Sequence, residues 1–123
     1  MSVIVRDDGF HADDYQGTRR VEIGSDTAPA DLPDTTGADL VCVAFPAFSD
    51  GRGFSLARHI RAAGYLGRLR AHGHVIADQY AMARRVGFDE VEISDDLAAR
   101  QTADQWFFRA DWRENDYRAR LRT

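Results

Sequence analysis

Two short turns in this 123-residue chain combine residue types that handle small charged molecules. The first is Asp50-Gly51-Arg52-Gly53, between an apolar run and an amphipathic segment. Its glycines let a backbone come close to a ligand, the segment after it offers the free amides of a helix start, and Arg52 adds a guanidinium fork. Phosphate, sulfate or a carboxylate suits such a loop. The spacing is not that of a dinucleotide fingerprint, which needs a third glycine, nor that of a nucleotide phosphate loop, which needs Lys followed by Ser or Thr. An Asp-Gly turn that only joins a strand to a helix would carry the same residues.

The second turn is His72-Gly73-His74. Two histidines one residue apart can converge on a metal, but Asp78 is the only carboxylate in the same segment, so no zinc ligand set is complete and no metal is expected. Histidine titrates near neutrality, which leaves anion binding, proton transfer or a plain surface loop. Asp78 and Gln79 fall in the first turns of the next helix, where they can meet its dipole or accept bonds from Arg52, Arg68 or Arg70. Arg58 can reach back toward Asp50. The candidate catalytic residues are therefore Asp50, His72 and Asp78, and the candidate anion-binding residues are Gly51, Arg52, Gly53, Arg58, Arg70, His74 and Gln79. His59 falls on the arginine side of its helix, and His11 has no companion motif. Ser49 and Ser55 flank the first turn without the pattern of a nucleophile elbow. Cys42, inside LVCVAF, reads as core rather than as a thiolate.

The elements that must position these turns follow one another from Leu40 to Ile93. Leu40–Phe45 is nearly continuous apolar sequence, as in a parallel strand covered on both faces, and Pro46 ends it. A helix follows from Phe54 or Ser55 to Ala63, with Leu56, Ile60 and Ala63 in one stripe, Arg58 and Arg61 on a route to solvent, and Gly64 at its cap. Arg68–His72 is a short strand, Val75–Val86 a helix capped by Gly87, and Glu90–Ile93 a strand with Val91 and Ile93 inward. Ser94 or Asp95 caps a last helix over roughly 96–105. Before these, Val3–Val5 is a short strand or ordered arm, residues 9–19 read as loop, Arg20–Ile23 can form a strand, and residues 24–37 are mostly loop.

Crossovers of this length require parallel pairing with right-handed connections. The fold class is thus α/β, a small, mostly parallel sheet of three to four strands with flanking helices, open or half-barrel-like. In such sheets ligands sit beyond the carboxyl ends of the strands, where the loops 47–53, 72–74 and 94–96 all lie. One domain over 1–123 is expected, with a partly irregular segment at 1–37. The tail from 106 to 123 holds Trp106, Phe107, Phe108, Trp112 and Tyr117 among five arginines from Arg109 onward. So many aromatic rings pack on the domain or on a partner subunit, and an incompletely covered sheet favours a homo-oligomer such as a dimer.

Bulk composition is that of an ordinary soluble protein, 44% apolar and 29% charged. Residues 1–50 carry ten Asp and Glu against three Arg, and residues 51–123 carry thirteen Arg against ten Asp and Glu. That small basic excess does not make a nucleic-acid face. Lysine is absent, which excludes Schiff-base chemistry by a lysine amine and leaves arginine forks as the strong anion binders. A single cysteine excludes an intrachain disulfide and a cysteine metal cluster. No segment has the apolar length of a membrane span, and the first residues have no signal-peptide pattern, so the cytoplasm is the expected location.

The combined string Phe45-Pro46-x-Phe48-x-Asp50-Gly51-Arg52-Gly53-Phe54-Ser55-x-Ala57-Arg58, then Gly64-Tyr65-x-Gly67-x-Leu69-Arg70-Ala71-x-Gly73-x-Val75-x-x-Asp78-Gln79 and Arg85-x-Gly87-Phe88-Asp89, resembles a small bacterial domain-of-unknown-function family. Its members are commonly described as oxidoreductases of sulfite reduction. The resemblance covers about residues 38–94. Family members usually have Asp at the place of His74 and often Cys at the place of Val86. The first change alters any acid–base role of that loop, and the second argues against a redox cysteine there. The resemblance implies a part in sulfate assimilation, with Asp50, Arg52, Arg58, Arg70, Asp78 and Gln79 as the residues of its pattern.

Reduction of sulfite needs a cofactor to deliver electrons, and a protein gives that cofactor a recognisable seat. One cysteine, no iron–sulfur spacing and no dinucleotide fingerprint leave none evident. The expected function is an accessory protein of sulfite or sulfate assimilation that binds a small oxyanion or contacts a reductase of that route. The alternatives are a small α/β lyase, isomerase or hydrolase acting on an anionic substrate, and a structural homo-oligomer without catalysis.

Overall fold

The structure is a computed structural model and describes residues 2–47 and 51–108. Among these residues, six strands form one open sheet: β1 (Ser2–Arg6), β2 (Gly9–His11), β3 (Arg20–Ile23), β4 (Leu40–Phe45), β5 (Arg68–Gly73) and β6 (Glu90–Ser94). Their spatial order is β2-β1-β6-β5-β4-β3. The four strands from β3 to β6 run parallel, while β1 pairs antiparallel with both β6 and β2. The sheet is thus two to three strands larger than the three to four expected. The addition is the hairpin of β1 and β2, whose second strand lies at the start of a stretch read as loop. Only three residues long and opening on Gly9, β2 has too little apolar alternation to announce itself; β1 supplies its register, Val5 opposite Phe10.

The helices are α1 (Arg52–Ala62), α2 (Tyr80–Val86), α3 (Asp95–Arg100) and α4 (Ala103–Phe108), with 3-10 turns at Pro29–Asp31 and Ala77–Gln79. The helix expected from Val75 is tighter at its start, where the 3-10 turn precedes α2. Gln79 stabilises that start, its side-chain oxygen accepting from the Ile76 N–H at 3.1 Å. Gly87 ends α2 in the left-handed region, φ 115°.

Strand periodicity divides the sheet into two unlike faces. Val5, Ile23, Val41, Val43, Phe45, Leu69, Ala71, Val91 and Ile93 share one core with Leu56, Ala57 and Ile60 of α1 and Tyr80, Ala83 and Val86 of α2. Each large aliphatic or aromatic side chain buried there contributes about 1.5–3 kcal/mol. Trp106 closes this core at the other end: it is buried, stands edge-on to Tyr80 at 6.0 Å and donates through its indole N–H to the Gln101 carbonyl. The beginning of the aromatic tail therefore packs on the domain; residues 109–123 lie outside the described part.

The opposite face carries Arg6, Arg68, Arg70, His72, Glu90 and Glu92, with Leu40 and Cys42 beside them. Arg70 stands opposite Glu90 and next to Cys42, and His72 opposite Glu92. Among the described residues, the charges that meet this layer come from a loop. Asp13 and Asp14, in the irregular segment 12–19 between β2 and β3, form ion pairs with Arg70 and with Arg6 and Arg68. Cys42 is fully buried as expected, and burial pushes its thiol up to about 12.

Candidate functional site

β4 and β5 are adjacent and parallel, in register from Leu40 opposite Arg68 to Phe45 opposite Gly73. The Gly51-Arg52-Gly53 turn follows β4 and the His72-Gly73-His74 turn ends β5, so both leave the same edge of the sheet. The backbone ties this edge together, because the His74 N–H donates to the Phe45 carbonyl at 2.9 Å. Gly73 makes that approach feasible: its φ is 119°, and a Cβ there would stand 2.5 Å from the Phe45 oxygen. Residues 48–50, and with them the candidate Asp50, lie outside the described part.

The glycines of the first turn have separate explanations. A side chain at Gly53 would run into the ring of Phe45, which also packs on Phe54 with centroids 5.0 Å apart. Gly53 is therefore needed for helix-on-strand packing. A Cβ at Gly51 meets nothing within 4 Å, and its φ of −84° is open to any residue. Arg52 begins α1, two residues before the expected start, and its Nη2 donates to the Ser25 hydroxyl at 3.3 Å. Ser25 is buried just past the end of β3. Both residues line a cavity of about 180 Å³ with Thr27, Ser55 and the carboxylate of Asp26.

A second cavity, about 250 Å³, opens at the ends of β5 and β6. His72, His74, Ser2, Ser94, Ile93 and Leu97 line it. His72 is half exposed and its Nε2 lies 3.6 Å from Glu92 Oε2, just beyond hydrogen-bond reach. Glu92 is nearly buried and accepts from the Ser2 hydroxyl at 2.9 Å and from Arg70 Nη1 at 2.8 Å. Burial pushes its carboxyl up, but the Ser2 and Arg70 hydrogen bonds outweigh that and leave it below the ordinary value. Ser94 also caps α3, accepting from the Leu97 N–H. The two cavities share no lining residue.

The other candidates are dispersed. Arg58 is exposed on the outer side of α1, and Asp78 is exposed in the 3-10 turn before α2. Arg70 does not point into the edge at all. It has no exposed surface, and Glu90, Glu92 and Asp13 engage its three nitrogens. Arg68 likewise bonds Glu90 and Asp14. Arg61, for which the helix stripe left a route to solvent, instead donates to the carbonyls of Tyr65, Gly67 and Gly87 and to Asp89.

The match to known proteins now has a geometry to stand on. A family model described as "Bacterial protein of unknown function (DUF934)" matches residues 20–120. The chain belongs to that family. The matched span begins at β3 and takes in all four parallel strands and both turns of the edge, while β1 and β2 precede it. No curated protein and no solved structure matches the chain.

The residues that sequence reasoning passed over are Arg6, Asp13, Asp14, Glu90 and Glu92. Their signal was present in part. Arg68-x-Arg70-x-His72 and Glu90-x-Glu92 alternate with apolar residues in two neighbouring strands, which places opposite charges on one face. Asp13 and Asp14, in a segment without periodicity, offered no such cue. Among the described residues no group of three or more His, Cys, Asp or Glu is placed to hold a metal ion. Among the same residues no helix is long and apolar enough to cross a membrane.

Proposed function

We propose that this protein is an accessory component of sulfite or sulfate assimilation that binds a small oxyanion between the start of α1 and the loop after β3. The observation that carries this reading is the Arg52–Ser25 contact at the rim of the 180 Å³ cavity. An oxyanion there would take hydrogen bonds from the Arg52 fork and from the Ser25 and Ser55 hydroxyls, beside the positive end of an 11-residue helix. The size favours an inorganic anion: pockets for drug-sized or cofactor-sized ligands run from about 300 Å³ upward. Asp26 opposes any anion, so Arg52 must outweigh it. The link to sulfur chemistry comes from the family resemblance, and the cavity adds only the ligand class.

Thermal unfolding in sulfate, sulfite, phosphate and chloride at matched ionic strength tests the reading. The three oxyanions raise the midpoint of the wild-type protein more than chloride does, and Arg52→Ala removes the difference. Equal effects of all four salts would rule the site out.

A second reading, a small enzyme acting on an anionic substrate, draws on the other cavity. There a half-exposed imidazole faces a buried carboxylate fixed by Arg70 and Ser2, an arrangement suited to proton transfer.

A further inference from the structure

Three arginines, Arg6 on β1 and Arg68 and Arg70 on β5, turn their Nε atoms onto one buried carboxylate, Glu90. Arg6 and Arg68 reach its Oε1 at 3.2 and 2.9 Å, and Arg70 reaches its Oε2 at 2.6 Å. Glu90 thereby fixes all three guanidinium planes from below. The far ends point the other way, into a common layer above the sheet. Arg6 Nη2 and Arg68 Nη2 both donate to a single oxygen, Asp14 Oδ1, at 2.7 Å each. Arg70 Nη1 and Nη2 donate to Asp13 at 3.2 and 3.1 Å.

We propose that these outward guanidinium ends form an anion-binding site for a tetrahedral dianion such as sulfate or hydrogen phosphate, which Asp13 and Asp14 occupy as an internal substitute.

Charge and exposure support this. Arg6, Arg68 and Arg70 against Glu90 and Glu92 leave a net charge of plus one on the face. Arg20 pairs with Glu22 and also approaches Glu92 at 3.7 Å, and Arg20 and Glu22 together add no net charge. Asp13 and Asp14 contribute minus two, the charge that a dianion would restore. The site below is rigid and dry, with Arg70 and Glu90 at 0% and 2% exposure, while the carboxylates above are 37% and 58% exposed. The covering half is therefore the replaceable half, since exposed pairs contribute little, whereas an oxyanion across several guanidinium forks makes charge-assisted bonds. Side-chain hydrogen bonds from Arg6 and Arg68 hold the Asp14 carboxyl well below the usual range, so it stays ionised as the anion it replaces. Being tethered, the two aspartates act at a high effective concentration and keep free anion out of the wild-type protein. The site is distinct from the Arg52 cavity and does not depend on it.

The test uses the full chain carrying Arg52→Ala, which silences the other pocket, with and without Asp13→Asn and Asp14→Asn. Inorganic sulfate is the probe and chloride at equal ionic strength the control. The chain with both aspartates gains nothing from sulfate over chloride. The Asn variant gains a saturable rise in unfolding midpoint of about 5 °C at sulfate roughly tenfold above its Kd. Adding Arg68→Met abolishes that gain. A folded Asn variant that responds alike to sulfate and chloride, or whose gain survives Arg68→Met, would overturn the proposal. Asp14→Asn alone, which frees the Arg6–Arg68 pair and leaves the Asp13–Arg70 pairing in place, gives the same decision if the double variant does not fold.

Discussion

Arg70 and Glu90 face each other across β5 and β6, with Arg70 Nε 2.6 Å from Glu90 Oε2 and almost none of either side chain in contact with water. Buried pairs of this kind recover little beyond their own desolvation, but removing one partner leaves an uncompensated charge in a dry place. Glu90 answers three arginines at once, so its loss is the most costly on this face. Glu90→Ala is expected to destabilise the protein by about 3–5 kcal/mol, read from urea unfolding. A loss under about 1 kcal/mol would mean that the three guanidiniums find water or other partners.

The two glycines of the first turn should behave differently. Gly53→Ala drives a methyl into the Phe45 ring and is expected to cost about 1–3 kcal/mol, with recovery when Phe45→Leu is added. Gly51→Ala meets open space and should change stability by no more than about 0.5 kcal/mol. Differential scanning calorimetry of the three variants decides it.

Acid should act on the charged face in a defined direction. Hydrogen bonds from Arg70 lower the Asp13 carboxyl against the opposing effect of burial, and bonds from Arg6 and Arg68 lower that of Asp14. Both groups stay ionised in the folded state below the pH at which they protonate in the unfolded chain, about 3.9. Their contribution is complete above that pH and fades as pH falls through the depressed folded values. The urea midpoints of wild type and Asp13→Asn/Asp14→Asn should therefore differ by a constant amount from about pH 5 to 7 and converge below about pH 4. A gap that widens toward acid would contradict the assigned pairs.

Much of this fold was legible in the sequence, for identifiable reasons. β4 and β6 announce themselves because Val41, Val43, Val91 and Ile93 are β-branched and buried, and Gly87 marks the end of α2 because only a left-handed residue fits there. The shared edge of the two turns followed from parallel pairing. Arg70 shows where such reading runs out. An arginine beside the candidate residues of the two turns looks like part of that edge until the neighbouring strand, twenty residues on, places Glu90 against it and ties it to the charged face. β2 escaped for the opposite reason: three residues hold too little pattern to outweigh a glycine and a polar neighbourhood.

Arg61 is a further case where contact outweighs pattern. Its guanidinium spans the carbonyls of Tyr65, Gly67 and Gly87 and the carboxylate of Asp89, joining the ends of α1 and α2 to the start of β5. A lysine keeps the charge but cannot reach several acceptors in one plane. Arg61→Lys is expected to cost about 1.5–3 kcal/mol, nearly as much as Arg61→Ala, by thermal unfolding. Full retention of stability in the lysine variant would show that charge alone suffices.

The central claim, an oxyanion held by Arg52 at the carboxyl edge of the parallel sheet, is tested most directly by following backbone amide resonances during a sulfate titration. Saturable shifts confined to residues 25–27 and 51–55 in the wild-type protein, and absent in Arg52→Ala, are the predicted result. Shifts that grow linearly with sulfate, or that are the same in the Arg52→Ala protein, would contradict it.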